Sequence, residues 1–157
     1  MTLTDSAALL ARAELHGVEV PKERWRRLSA YATERFSQPG IAFADVHAAL
    51  AHAMAGDGEA LAKIVRDARG PAAEVVSKLA QAFGAYASGK WAKAVGRFAR
   101  VMAEHERIGG SRAQRDLVEY AMTGALLRLG QTEEAVRFLA IRRPHTDHAG
   151  AVDELAR

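Results

Sequence analysis

An all-helical chain, built as a stack of about four helix–turn–helix hairpins, is the fold class this sequence predicts, on three observations. Ala is the commonest residue, Leu, Arg and Glu are plentiful, and β-branched runs are short, a composition that favours helix. Apolar residues recur three or four positions apart between punctuating residues. Pro21, Pro39, Pro71 and Pro144 each stand where such a period starts or stops, and none interrupts one.

The first helix is predicted from about Asp5 to His16, with Gly17 as a left-handed stop. The second opens at Pro21 and carries Trp25, Leu28, Ala32 and Phe36 on one face; Ser37-Gln38-Pro39-Gly40 closes it. The third covers roughly Ala42 to Ala55, with Phe43, Val46, Leu50 and Met54 as its stripe. Gly56-Asp57-Gly58 is a turn, and Leu61, Ile64, Val65 and Ala68 continue as the fourth helix. Arg69-Gly70-Pro71 leads into the fifth, where Val75, Val76, Leu79, Phe83 and Tyr86 are apolar. After Ser88-Gly89 comes the sixth, with Trp91, Ala94, Val95, Phe98 and Met102. The seventh runs from Ser111 to Leu129 and stops at Gly130; the eighth covers about Thr132 to Ile141. A short further helix through Val152 and Leu155 is possible after Pro144.

Gly17, Gly56, Gly89 and Gly130 each separate two amphipathic helices, at spacings of 39, 33 and 41 residues. A helix–turn–helix period of this size marks an α-solenoid, whose hairpins cannot bury their apolar faces alone and so must stack. Tyr86-Ala87-Ser88-Gly89-Lys90-Trp91-Ala92-Lys93-Ala94, with Phe98 beyond, reproduces the aromatic, turn glycine, packing alanine and phenylalanine of the tetratricopeptide pattern; Leu129 to Ala135 with Leu139 echoes it. The predicted fold is therefore a tetratricopeptide-like α-α superhelix. Small Ala94 and Ala135 let paired helices approach, and the glycines inside helices, Gly84, Gly96 and Gly124, imply close contacts that offset about 1 kcal/mol each.

Two stretches, Phe43-Ala44-Asp45-Val46-His47-Ala48 and Arg107 to Asp116, resemble the signature segments of the tetratricopeptide repeat protein 38 family, as does Glu14 to Val20 followed by Trp25. The resemblance runs in order from about Leu9 to Arg143 and matches only the C-terminal part of that longer family; after Pro144 the chain departs from it. It implies a helical-repeat fold and carries over no reaction.

At 157 residues the chain fits one domain, 1–157, able to bury a core without staples. The absence of Cys excludes disulfides and thiol chemistry. Neither a signal-peptide layout at Met1 to Ser6 nor a membrane-length apolar run is seen, which makes a cytoplasmic location the expectation. The net charge is +3, from 22 Lys plus Arg against 19 Asp plus Glu. Acids are interleaved with the bases, so the charge permits an anionic partner without arguing for one.

Six residues stand out as candidate ligand contacts: Asp45, His47, Ser111, Arg112, Gln114 and Arg115. Ser111 and Gln114 have capping-box spacing, but a helix start with Arg112 and Arg115 also suits a phosphate or carboxylate. The two arginines could instead pair with Asp116 and Glu119 four residues on. Asp45 and His47 read either as a dipole-complementing carboxylate and a satisfied inter-hairpin histidine, or as an acid/base or ligand-gripping pair. His47 and His52 are turned roughly 140° apart and cannot chelate one metal together. His145-Thr146-Asp147-His148 is a weak cation motif. Arg24-Trp25-Arg26-Arg27 resembles a nucleic-acid stretch, but Trp25 falls on the buried stripe.

No catalytic motif is present, and no cofactor is expected. The sequence therefore points to a non-catalytic scaffold that grips a peptide or partner helix on its concave surface, with a homodimer through an exposed end repeat as a further possibility. The alternative is an enzyme or small-anion receptor using Asp45, His47, Gln114 and Arg115. Those two segments share one edge of the stack, about 20 Å apart unless the superhelix curls tightly. Nucleic-acid binding is the least favoured class.

Overall fold

Glycines set the points at which the chain turns. In the computed structural model, which describes residues 2–142, Gly17, Gly56, Gly89 and Gly130 all have φ between 67° and 79°, a region that glycine enters without a Cβ penalty. Between and around them lie α1 (Leu3–Leu15), α2 (Lys22–Arg35), α3 (Ala42–Ala55), α4 (Gly58–Asp67), α5 (Ala73–Ala87), α6 (Trp91–Val101), α7 (Arg112–Arg128) and α8 (Thr132–Arg142). Among the described residues these helices and one 3-10 turn, His105–Ile108, make up the regular structure, and there is no strand. None of the helices is long and apolar enough to cross a membrane. The expected helix and the cation motif beyond Pro144 lie outside the described residues.

Boundaries follow the caps. Helix α1 starts at Leu3, ahead of the predicted Asp5, because the Thr2 hydroxyl accepts from the Asp5 N–H at 3.2 Å. Helix α4 starts at Gly58 because the Asp57 carboxylate accepts from the Ala60 N–H at 3.0 Å. Each cap fills a donor that the first helical turn leaves open. The 3-10 turn has no apolar period to announce it; buried His105 and Ile108 hold it down.

From α2 to α8, chain neighbours pack as spatial neighbours, and α3 also lies against α5. Ala94 and Ala135 are fully buried, as their packing role requires. Phe83 of α5 and Phe98 of α6 meet edge to face with centroids 5.4 Å apart, a geometry that the ring quadrupoles favour. A single apolar cluster extends from Leu3 to Leu139. Of the internal glycines, Gly84 and Gly124 occupy close contacts: a Cβ there would lie 3.1 Å from Leu61 Cδ2 and 2.6 Å from Leu15 Cδ2 respectively. Gly96 corrects the expectation, since nothing lies within 4 Å of its would-be Cβ.

Two features depart from the simple row of hairpins. Helix α1 touches α2, but its larger contacts are with α3 and α7. It lies across a face to which α3, α7, Trp25 of α2 and Tyr86 of α5 contribute, and the Arg12 guanidinium donates to Ala113 O, 101 residues away. The connection at 16–21 is long enough to swing α1 off a paired position beside α2. The second departure concerns α3 and α7. A Cβ at Gly110 would lie 3.5 Å from Phe43 Cβ, so the chain entering α7 rests on the start of α3. The expected separation of about 20 Å between these segments is thereby replaced by contact between Phe43 and Gly110.

Candidate functional site

The six candidate residues lie along the edge where α3 and α7 begin, and most are engaged by backbone. Asp45, 3 % exposed, accepts from the Gly40 N–H at 2.8 Å. Burial raises its carboxyl above the ordinary value, against the pull of the Gly40 and Ile41 N–H groups. His47 is fully buried and donates from Nδ1 to Phe43 O at 2.6 Å, which leaves Nε2 as a bare acceptor with no partner. Such an orphan costs roughly 1–3 kcal/mol. Burial lowers the His47 pKa, partly countered by the Phe43 carbonyl and the Asp5 charge.

Ser111 and Gln114 form the capping box: Ser111 Oγ accepts from the Gln114 N–H at 3.3 Å, and Gln114 Oε1 accepts from the Ser111 N–H at 2.8 Å. Both arginines reach backbone carbonyls. Arg112 donates to Arg142 O at 3.0 Å, and Arg115 donates to Gly110 O. Both guanidiniums line a polar cleft of about 240 Å³ with Arg142, His105, Asp116 and Glu119. Asp45, His47 and Gln114 take no part in lining it. The edge thus brings the two segments together as a packed junction, while Arg112 and Arg115 face a separate cleft.

Residues outside the six candidate ligand contacts build a second place, beneath α1. Leu15 fits the notch left by Gly124, whose would-be Cβ also lies 3.1 Å from the Tyr86 hydroxyl. The neighbouring Glu14 carboxylate accepts from Trp25 Nε1–H at 2.8 Å. Burial raises the Glu14 pKa, with the Trp25 hydrogen bond and the Arg128 charge opposing. Tyr86 is pushed up to about 12, by burial first and the Glu14 charge second. Its ring meets Trp91 edge to face at 5.2 Å, and Arg128 sits 5.8 Å over Trp91, within cation–π range.

The fit of α1 to this floor is close. Between Ala11 and Leu15 of α1 and Trp25, Leu50, Leu117 and Ala121 below, the gap is only about 10 Å³. At the α1 C-terminus it widens to a cleft of about 130 Å³ bordered by Glu14, Met54, Tyr86, Trp91 and Arg128. Chemically this is an apolar groove with a carboxylate-recognising end, an indole N–H and a guanidinium, at present filled by the chain's own helix. Trp25, 1 % exposed, is closed to base stacking here. Sequence reading missed Glu14 and Arg128 as a group because they lie 114 positions apart. It likewise missed His105 and Glu119, both buried, with Nε2 and Oε1 3.8 Å apart. No protein-family model, curated protein or solved structure matches the chain.

Proposed function

We infer that the chain is a non-catalytic interaction module, a tetratricopeptide-like helical repeat that holds a peptide or partner helix on the face of α3, α5 and α7. One observation carries this reading: a helix, α1, already lies along that face with its leucine in a glycine notch and its carboxylate on an indole N–H. Grooves that take amphipathic helices read them by anchors three and four residues apart, the spacing of Leu3, Ala7, Ala11 and Leu15. Closure of Asp45 and His47 from solvent weighs against the enzymatic alternative.

Selection of helical peptides from a random library on the full chain tests it, with a photo-crosslinking residue at Leu127 or Tyr31. Capture through Leu127, which borders the cleft under α1, supports the reading. Capture only through Tyr31, on the outer side between α1 and α2, opposes it. A small-anion receptor is the second reading, favoured by three arginines around one cleft. Three carboxylates, from Glu106, Asp116 and Glu119, line that cleft too and blunt its potential. Calorimetric titration with inorganic phosphate, lost in Arg115→Ala, is the result this second reading requires.

A further inference from the structure

The seat of α1 differs from the other helix contacts in what it asks of its occupant. Helix α1 buries Leu3, Thr4, Ser6, Ala7 and Ala8, while residues 10–15 are only half covered. Its C-terminal half is held by Leu15 in the Gly124 notch, by Leu10 and Ala11 against the core, and by polar contacts of Arg12 with Ala113 O and the Tyr120 ring and of Glu14 with Trp25. None requires that the helix be joined to the rest of the chain through 16–21. Without α1, the floor of Trp25, Leu50, Met54, Leu117 and Ala121 would present an apolar face to water. Such a face calls for a cover, and a tethered helix supplies one at high local concentration.

We propose that α1 is an exchangeable occupant of this groove, and that the partner is an amphipathic helix presenting the same face. This rests on the interaction-module reading above and specifies it. The partner carries small residues where Ala7 and Ala11 sit, because α1 lies close to its floor there. It carries a leucine where Leu15 fills the Gly124 notch, preceded by a carboxylate. That carboxylate takes the Trp25 Nε1–H and the field of Arg128; a lysine there would meet Arg128 with like charge and lose the indole donor. Docking of α1 in cis holds the groove shut to weak partners, since apparent affinity falls by the fraction of open chains.

Fluorescence anisotropy with a labelled peptide of residues 2–17 tests this on the full chain. Ala7→Arg prevents the cis helix from seating, since Ala7 is wholly buried, and leaves the floor unaltered. The peptide should bind this variant about ten-fold or more tightly than wild type, and a Glu14→Lys peptide should not bind. A variant that is folded, with α1 released by hydrogen exchange, yet does not bind the peptide would overturn both this inference and the interaction reading. A second arrangement covers failure of Ala7→Arg to fold: a protease site inserted after Gly17, cut once the chain has folded. Exchange of labelled peptide into the nicked protein supports the proposal. Retention of the original helix against excess peptide, or unfolding as it leaves, would make α1 a fixed core element and overturn this inference alone.

Discussion

Phe83, Phe98 and Ala94 are wholly buried where α5 meets α6, whereas the second half of α1, residues 10–15, is half-buried and adds polar contacts of Arg12 and Glu14 to its apolar ones. The hairpin is held by apolar burial, which carries no desolvated charge. Helix α1 is held partly through Glu14, a carboxylate that burial disfavours and that one indole N–H and a guanidinium only partly compensate. The difference teaches that the stack and its lid have separate sources of stability, so they can be disturbed separately.

The sharpest way to break that contrast is Phe98→Ala. Loss of the ring opposite Phe83 should cost roughly 3–5 kcal/mol, and urea unfolding should show the whole chain weakened, α1 included. Gly124→Ala attacks the other side. The new Cβ would meet Leu15 Cδ2 at 2.6 Å and the Tyr86 hydroxyl at 3.1 Å, at a cost of roughly 1–3 kcal/mol. Hydrogen exchange should rise across α1 and stay unchanged in α6. Ser111→Ala removes one half of the capping box and should cost about 1 kcal/mol, seen as a lower denaturation midpoint and faster exchange in the first turn of α7.

The smallest effect expected is with pH, because two signs oppose. His47 and His52 have pKa values lowered by burial, so below the ordinary 6.5 the unfolded chain binds protons that the folded chain refuses. Stability is therefore complete above pH 6.5 and is lost as pH falls toward the lowered values. Glu14 and Asp45 have raised pKa values; protonation favours the folded state, and their contribution is present in acid and lost as pH rises. Urea midpoints should fall as pH drops below 6.5. His47→Leu should shrink the fall.

Helix positions were legible in the sequence wherever a period met a punctuating residue. Helix α3 spans Ala42–Ala55 as read, and the four turn glycines sit in the left-handed region. Local capping moved two starts, at Thr2 and Asp57, and the 3-10 turn lacks any period to read. The course of α1 was not legible, because its apolar face is compatible with either α2 or the groove. The Gly124 notch and Ala113 O, both far away in sequence, hold it in the latter. For the same reason the edge residues Asp45 and His47 looked chemical, though the fold seals them. The Phe43–Gly110 contact joins positions far apart in the chain, which a spacing of glycines does not encode.

Native-state hydrogen exchange across the intact chain, read residue by residue in α1 and α5, tests the two-source account most directly. It predicts that amides of α1 open at lower free energy than those of α5, in a step that leaves α5 and α6 protected. A single cooperative opening, with α1 and α5 exchanging at one common free energy, would contradict it.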